Sequence, residues 1–135
     1  MTEHKIKSFK TGDIITRQST TGEEMYVILS GRVKVYITIN QEVVNLCELR
    51  ENDFFGEMSL LLKETRAATV QAEEPTEVMI LTMDNILQQM GADPEFAFRV
   101  FKTMARRLKE AHNVISRIMG EKKSLEIMYS VKPTQ

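Results

Sequence analysis

Turn-forming residues cut the first 83 residues of this chain into short β-rich runs, and beyond that point the pattern stops. The runs fall at residues 6–9, 14–16, 25–29, 33–39, 43–49, 67–72 and 77–81. Between them lie Thr11-Gly12-Asp13, Thr21-Gly22, Ser30-Gly31, Ile39-Asn40-Gln41 and Asn52-Asp53. Many short strands with turns at such close spacing predict an antiparallel β-roll, a jelly-roll-like barrel. Within residues 33–39, Val33, Val35 and Ile37 alternate with Lys34, Tyr36 and Thr38, so one face of that strand is expected to be buried.

The remainder reads as helix, which makes the expected class α+β. Asp84 is placed to cap a short helix over residues 85–90, with Gly91 ending it. Asp93-Pro94-Glu95 then has the order of a helix start: a cap, a proline at the first position, an acid in the first turn. Ala97, Phe101, Met104, Leu108, Ala111, Ile115 and Ile118 recur at gaps of 4 and 3, a heptad seam sustained for three repeats. Phe98, Val100, Ala105, Val114 and Met119 widen the apolar face. Small Ala97 and Ala111 on the seam suit a partner helix, so a homodimer through residues 97–118 is expected. Gly120 is expected to end this helix and leave residues 121–135 as a polar tail. Residues 1–135 are thus expected to be one domain, with a β-roll over 1–83 and a helical part over 84–120.

Charge narrows the partners. Eighteen Lys and Arg against 19 Asp and Glu give a net charge of -1, without the basic excess of a nucleic-acid coat protein or a polybasic membrane binder. That balance is uneven along the chain. Residues 97–123 hold eight basic side chains and two acids, a local balance of +6, so the rest carries -7. Cys47 is the only cysteine, which excludes a disulfide within the chain and reads as a small buried residue. His4 and His112 are the only imidazoles, too few for a multi-histidine metal site. The stretch MTEHKIKSFK lacks the apolar core of a signal peptide, and no apolar run approaches the ~18–20 residues of a membrane span. A cytoplasmic location is the expectation.

The chemistry concentrates in Phe54-Phe55-Gly56-Glu57-Met58-Ser59-Leu60-Leu61 and the following Thr65-Arg66-Ala67-Ala68-Thr69-Val70. Residues 53–61 read as a strand end, a glycine and a short helical turn. Gly56 permits close approach of a ligand to the backbone, and the N–H groups of Glu57 to Ser59 at the start of the turn favour an anion. Arg66, nine residues past Glu57, could reach back across a concave surface. A guanidinium offers paired donors to two phosphate oxygens, each bond contributing on the order of 1.5–3 kcal/mol. Glu57 would repel the same phosphate and would accept from a hydroxyl instead, as acidic residues do from ribose in dinucleotide sites. An anion cradle, one arginine and one hydroxyl-accepting carboxylate together point to a sugar phosphate.

The pattern FGEMSLL-x4-RAATV resembles the phosphate-binding cassette of the cyclic-nucleotide-binding domain family. Bacterial catabolite activators, kinase A regulatory subunits and cyclic-nucleotide-gated channels are members. The resemblance extends over most of the chain: Phe9-x-x-Gly12-Asp13-x-Ile15 is similar to the family's opening strand pair, and residues 25–35 to its central hairpin. Met104-Ala105-Arg106-Arg107-Leu108 sits where bacterial activators carry their long dimer helix. The resemblance implies a cassette over residues 54–70 in which Arg66 clamps the cyclic phosphate and Glu57 holds the ribose 2′-hydroxyl. Backbone groups of Gly56, Glu57, Met58, Ser59 and Ala67 complete the cradle, and Ala68 packs behind it. It also implies that Val35 and Cys47 lie on strands facing the nucleotide. Arg-Ala-Ala is the commoner form in cAMP binders, whereas many cGMP-preferring members place a threonine where this chain has Ala67. The ligand expected is therefore cAMP rather than cGMP, with no metal, no cofactor and no catalytic residue.

Several positions depart from the family pattern. Thr65 stands where proline is frequent, and Ser19 and Asn52 stand where glycines are frequent. Ala111 and His112 occupy the place of a Thr-Ser pair that contacts adenine, so His112 or Asn113 is the candidate for that contact. The reading that follows is a regulatory domain that binds a cyclic nucleotide, signals through its C-terminal helix to an effector, and touches neither membrane nor nucleic acid directly. The alternatives are the sensor part of a cAMP-responsive transcription regulator, which needs a helix-turn-helix where about 15 residues follow Gly120, or a ligand-free dimerisation module of the same fold. A cupin-type enzyme is disfavoured because the strands contain no histidine.

Overall fold

Among residues 5–129, which the computed structural model describes, eight strands and three helices form. They are β1 (Lys5–Phe9), β2 (Ile14–Thr16), β3 (Met25–Ser30), β4 (Arg32–Ile39), β5 (Glu42–Arg50), β6 (Phe54–Phe55), α1 (Glu57–Leu62), β7 (Thr69–Ala72), β8 (Thr76–Leu81), α2 (Met83–Ala92) and α3 (Pro94–Tyr129). The chain divides into two compact units, residues 1–92 and 93–135.

In the first unit the strands make two antiparallel four-stranded sheets, ordered β1-β8-β3-β6 and β2-β7-β4-β5. The expected β-roll is present. β-Branched and aromatic residues suit these pleated positions because their bulk packs against both cross-strand and facing neighbours. Tyr26 and Ile28 of β3, Val33 of β4, Phe55 of β6, Val70 of β7, and Val78 and Ile80 of β8 form the core. Phe9, Ile15, Val35 and Leu49 close over it. Ile28, Val33 and Val78 are wholly buried, each such side chain stabilising the fold by about 1.5–3 kcal/mol.

The alternation along β4 holds only in its first half. Val33 is buried and Val35 packs on the core, but the pairing with β5 shifts between Val35 and Tyr36. Cys47 opposes Val35 while Asn45 opposes Tyr36, which leaves Leu46 as the extra residue of a bulge. Past it, Thr38 and Ile39 are exposed, as is β5 almost throughout. Cys47, expected to be buried, is exposed, because β5 is the edge of its sheet. Asn40 and Gln41 join the hairpin with φ of 51° and 71°, the paired left-handed geometry of a tight two-residue turn.

The helical boundaries differ from expectation at three points. α2 begins at Met83, before Asp84, because Thr82 and Asn85 cap reciprocally: Asn85 N–H donates to Thr82 Oγ1 at 3.3 Å, and Thr82 N–H to Asn85 Oδ1 at 3.1 Å. Asp84 lies in the first turn, and Gly91 lies inside the helix. α3 in the second unit starts as expected, with Asp93 Oδ1 accepting from Glu95 and Phe96 N–H at 3.1 and 3.2 Å. It does not stop at Gly120 but continues to Tyr129, so the first nine residues of the expected polar tail are helical. A single glycine inside a helix costs only about 1 kcal/mol, too little to end one that is favoured on both sides.

Candidate functional site

Phe54 and Phe55 are buried and anchor β6 beside β3, with the Phe55 ring stacked on Tyr26 at 5.0 Å between centroids. The chain then turns at Gly56, whose φ of 87° lies in the left-handed region that a side chain disfavours. Gly56 is also the N-cap of α1 and offers no side chain to cap it. The first bond internal to the helix runs from Leu60 N–H to the Gly56 carbonyl at 3.2 Å. The N–H groups of Glu57, Met58 and Ser59 precede that bond, at the helix start where main-chain donors face outward. Ser59 is buried, and its hydroxyl donates to the Glu64 carbonyl at 2.9 Å. That bond folds the segment that follows α1 back on the helix.

Arg66 follows α1 by four residues and returns to its start. The residue is 7% exposed. Nη1 donates to the Glu24 carbonyl at 2.8 Å and toward the Gly56 carbonyl at 3.4 Å, which places the guanidinium at the N-cap of α1. Its Cζ lies 5.6 Å from the centre of the Tyr26 ring. Carbonyls and a ring orient a guanidinium without carrying a full negative charge themselves. Burial is costly for an ion, and the cost is met best when an anion can join the arrangement. Burial also pushes the Tyr26 phenol above its usual pKa, against the lowering influence of Arg66 and with a further rise from Glu24.

Gly56 and Arg66 are thus brought together, with Glu57 half-buried on the first turn of α1 and Met58 exposed beside it. Ala67 and Ala68 form a bend, exposed and half-buried respectively, and β7 begins at Thr69 rather than at residue 67. Val35 and Cys47 face each other across β4 and β5, and Val70 of β7 opposes Val35 on its other side. His112 and Asn113 are exposed on α3, in the second unit.

The sequence marks the loop between β2 and β3 by its turn and by Ser19, but not as a part of the site. Ser19 N–H donates to the Arg66 carbonyl and Arg66 N–H to the Thr20 carbonyl, each at 2.8 Å, so this loop clasps residue 66 from both sides. Gln18 N–H adds a bond to Thr69 Oγ1 at 3.0 Å. A cavity of about 290 Å³ opens against Arg66, walled by Thr16, Arg17, Thr20, Thr21 and Tyr26. Thr21-Gly22 had marked only a turn, because main-chain acceptors carry no signature in side-chain identity. Among the described residues, no three His, Cys, Asp or Glu side chains come together as metal ligands. Nor is any described helix long and apolar enough to cross a membrane.

Comparison with known proteins places these features. A profile described as "Cyclic nucleotide-binding domain" matches residues 6–93. Potassium/sodium hyperpolarization-activated cyclic nucleotide-gated channel 2 of Mus musculus is 33% identical over 105 residues, which cover 78% of this chain and 12% of the channel. A cGMP-dependent protein kinase of Toxoplasma gondii is 33% identical over 94 residues, 70% of this chain and 9% of the kinase. The crystal structure of Thermus thermophilus catabolite activator protein superposes with a TM-score of 0.77 at 29% identity, covering 86% of this chain and 55% of that one. The chain therefore spans a small fraction of the channel and the kinase.

Proposed function

This chain belongs to the cyclic nucleotide-binding domain family, and on that footing we propose that it is a cytoplasmic regulatory domain that binds cAMP and passes occupancy to an effector through α3. The observation that carries the reading is the buried Arg66 guanidinium held at the N-cap of α1 by the Glu24 and Gly56 carbonyls. In this reading Arg66 and the N–H groups of Gly56, Glu57, Met58, Ser59 and Ala67 take the cyclic phosphate. Glu57 accepts the ribose 2′-hydroxyl, and Ala68 packs behind the cradle. Val35 and Cys47 supply the wall toward the base. Ala67 offers no hydroxyl to a guanine, which favours cAMP over cGMP. The site grips a phosphate without presenting a nucleophile and base to cleave it, so the role is regulatory and not enzymatic. Ligand closing α1 and its flanks shifts the population of α3 packings, which is the signal.

Calorimetric titration tests this. Wild-type protein is expected to bind cAMP more tightly than cGMP. Arg66→Ala is expected to weaken cAMP binding 10-fold or more, equivalent to at least about 1.4 kcal/mol, and Glu57→Ala to weaken it as well. Absence of uptake of either nucleotide at millimolar concentration would sink the reading.

A further inference from the structure

We infer that Gly22 is a positioning residue for Arg66, the floor of a slot that fixes where the guanidinium points. The inference rests on the proposed role of Arg66 in holding phosphate. A Cβ built on Gly22 would meet Arg66 Nη2 at 2.2 Å, Cζ at 2.7 Å and Nε at 2.8 Å. The guanidinium therefore lies directly against the Cα of residue 22, closer than any side chain allows. Gly56 lies against the other terminal nitrogen, where an added Cβ would come within 2.7 Å of Nη1. The two glycines are required for different reasons. Gly56 has a φ of 87° and would be strained with any side chain, whereas Gly22 has no left-handed φ, and the three atoms nearest its added Cβ all belong to Arg66. Its backbone would accept other residues; the guanidinium would not.

The rest of the loop holds the slot in place. Ser19 and Thr20 clasp the main chain of residue 66, and the Glu24 carbonyl takes Nη1. Two residues past the clasp and two before that carbonyl, Gly22 is where the loop passes over the guanidinium. A methyl group there would evict a flexible side-chain end and leave the main-chain clasp intact. It would cost aim more than stability. The loop thus acts on phosphate without touching it, through the direction in which Arg66 presents its remaining donors.

The test compares wild type, Gly22→Ala, Arg66→Ala and the double variant, with Gly91→Ala as a control at a glycine whose added Cβ meets open space. Gly22→Ala is expected to lose 10-fold or more in cAMP affinity by calorimetry while melting within a few degrees of wild type. In the Arg66→Ala background the same change is expected to alter affinity less than twofold, because its effect passes through the missing side chain. A readout without nucleotide separates this inference from the reading beneath it. Phenylglyoxal modification of Arg66, followed by mass spectrometry, is expected to be several-fold faster in Gly22→Ala than in wild type or Gly91→Ala. Wild-type labelling rate in Gly22→Ala overturns the slot, as does a full loss of affinity that persists in the Arg66→Ala background. Should Gly22→Ala fail to fold alone, recovery of folding in the double variant supports the slot, and failure there overturns it. If wild type binds no cyclic nucleotide, the functional reading falls while the labelling comparison still decides the slot.

Discussion

Ser19 shows how a single residue can carry strain for a site through one main-chain bond. It sits at φ 68°, in the left-handed region, while its N–H holds the Arg66 carbonyl. The family pattern favours glycine here, and the conformation explains why: a Cβ in that region costs roughly 1–2 kcal/mol. Ser19→Gly is therefore expected to stabilise the fold by about 0.5–1 kcal/mol after the extra freedom of glycine in the unfolded chain is set against it. Urea unfolding measures this, and a destabilised variant would show that the serine side chain contributes more than its strain. Asn52, the other residue where glycine is frequent, adopts φ 74° as its side-chain type allows. Residue types at these turns were legible in advance. What Ser19 does for Arg66 was not, since both partners in the bond are main-chain atoms 47 positions apart in sequence.

At the scale of elements, the start of α3 was easier to place than its end. Asp93 caps α3 as its sequence context predicts, because a start needs a specific side-chain acceptor. Gly120 is a weak stop. The residues past it, including exposed Leu125, Ile127 and Met128, extend α3 to Tyr129. An added Cβ at Gly120 meets nothing within 4 Å, so Gly120→Ala is expected to raise helix stability by about 0.5–1 kcal/mol. Circular dichroism on heating would register the gain as later loss of helical signal, and an earlier loss would mean the glycine has a packing role. In the β-roll, strand existence was clear from the turns, but the bulge at Leu46 and the edge position of β5 were not. A bulge depends on pairing between strands, which alternation along one strand does not encode.

Across the whole molecule, the acidic and basic excesses fall in different units. α3 carries the basic excess and leaves Phe98, Phe101, Leu108, Val114, Ile115, Ile118 and Met119 exposed, a continuous apolar face that calls for a cover. We propose a second copy of the helix for that role. Light scattering on wild type against Leu108→Glu is expected to show a dimer reduced to monomer, and unchanged mass would refute the seam. The acidic roll holds a second whole-molecule feature, where β4, β5 and the end of β7 meet. Arg32 Nε lies 3.2 Å from Glu48 and 3.7 Å from Glu73. Glu73 is held above the usual glutamate value of 4.5 by its hydrogen bond with Glu48, by partial desolvation and by the Glu48 charge, against the pull of Arg32 and Lys34. A raised carboxyl pKa in the folded state adds stability that is full below 4.5 and lost as pH climbs through the folded value. Glu73→Gln is expected to flatten that decline in melting temperature, and an unchanged slope would show that the pair does not titrate there. The sequence by itself determined the strand-to-helix order, the heptad pattern and the short run that carries Gly56, Glu57 and Arg66, because periodicity, turn chemistry and local motifs are written in neighbouring residues. Only the tertiary structure decided that Arg66 is buried, that loop 17–24 grips it and that Gly22 gives it room, because those relations are made by main-chain atoms and empty space between segments far apart in the chain.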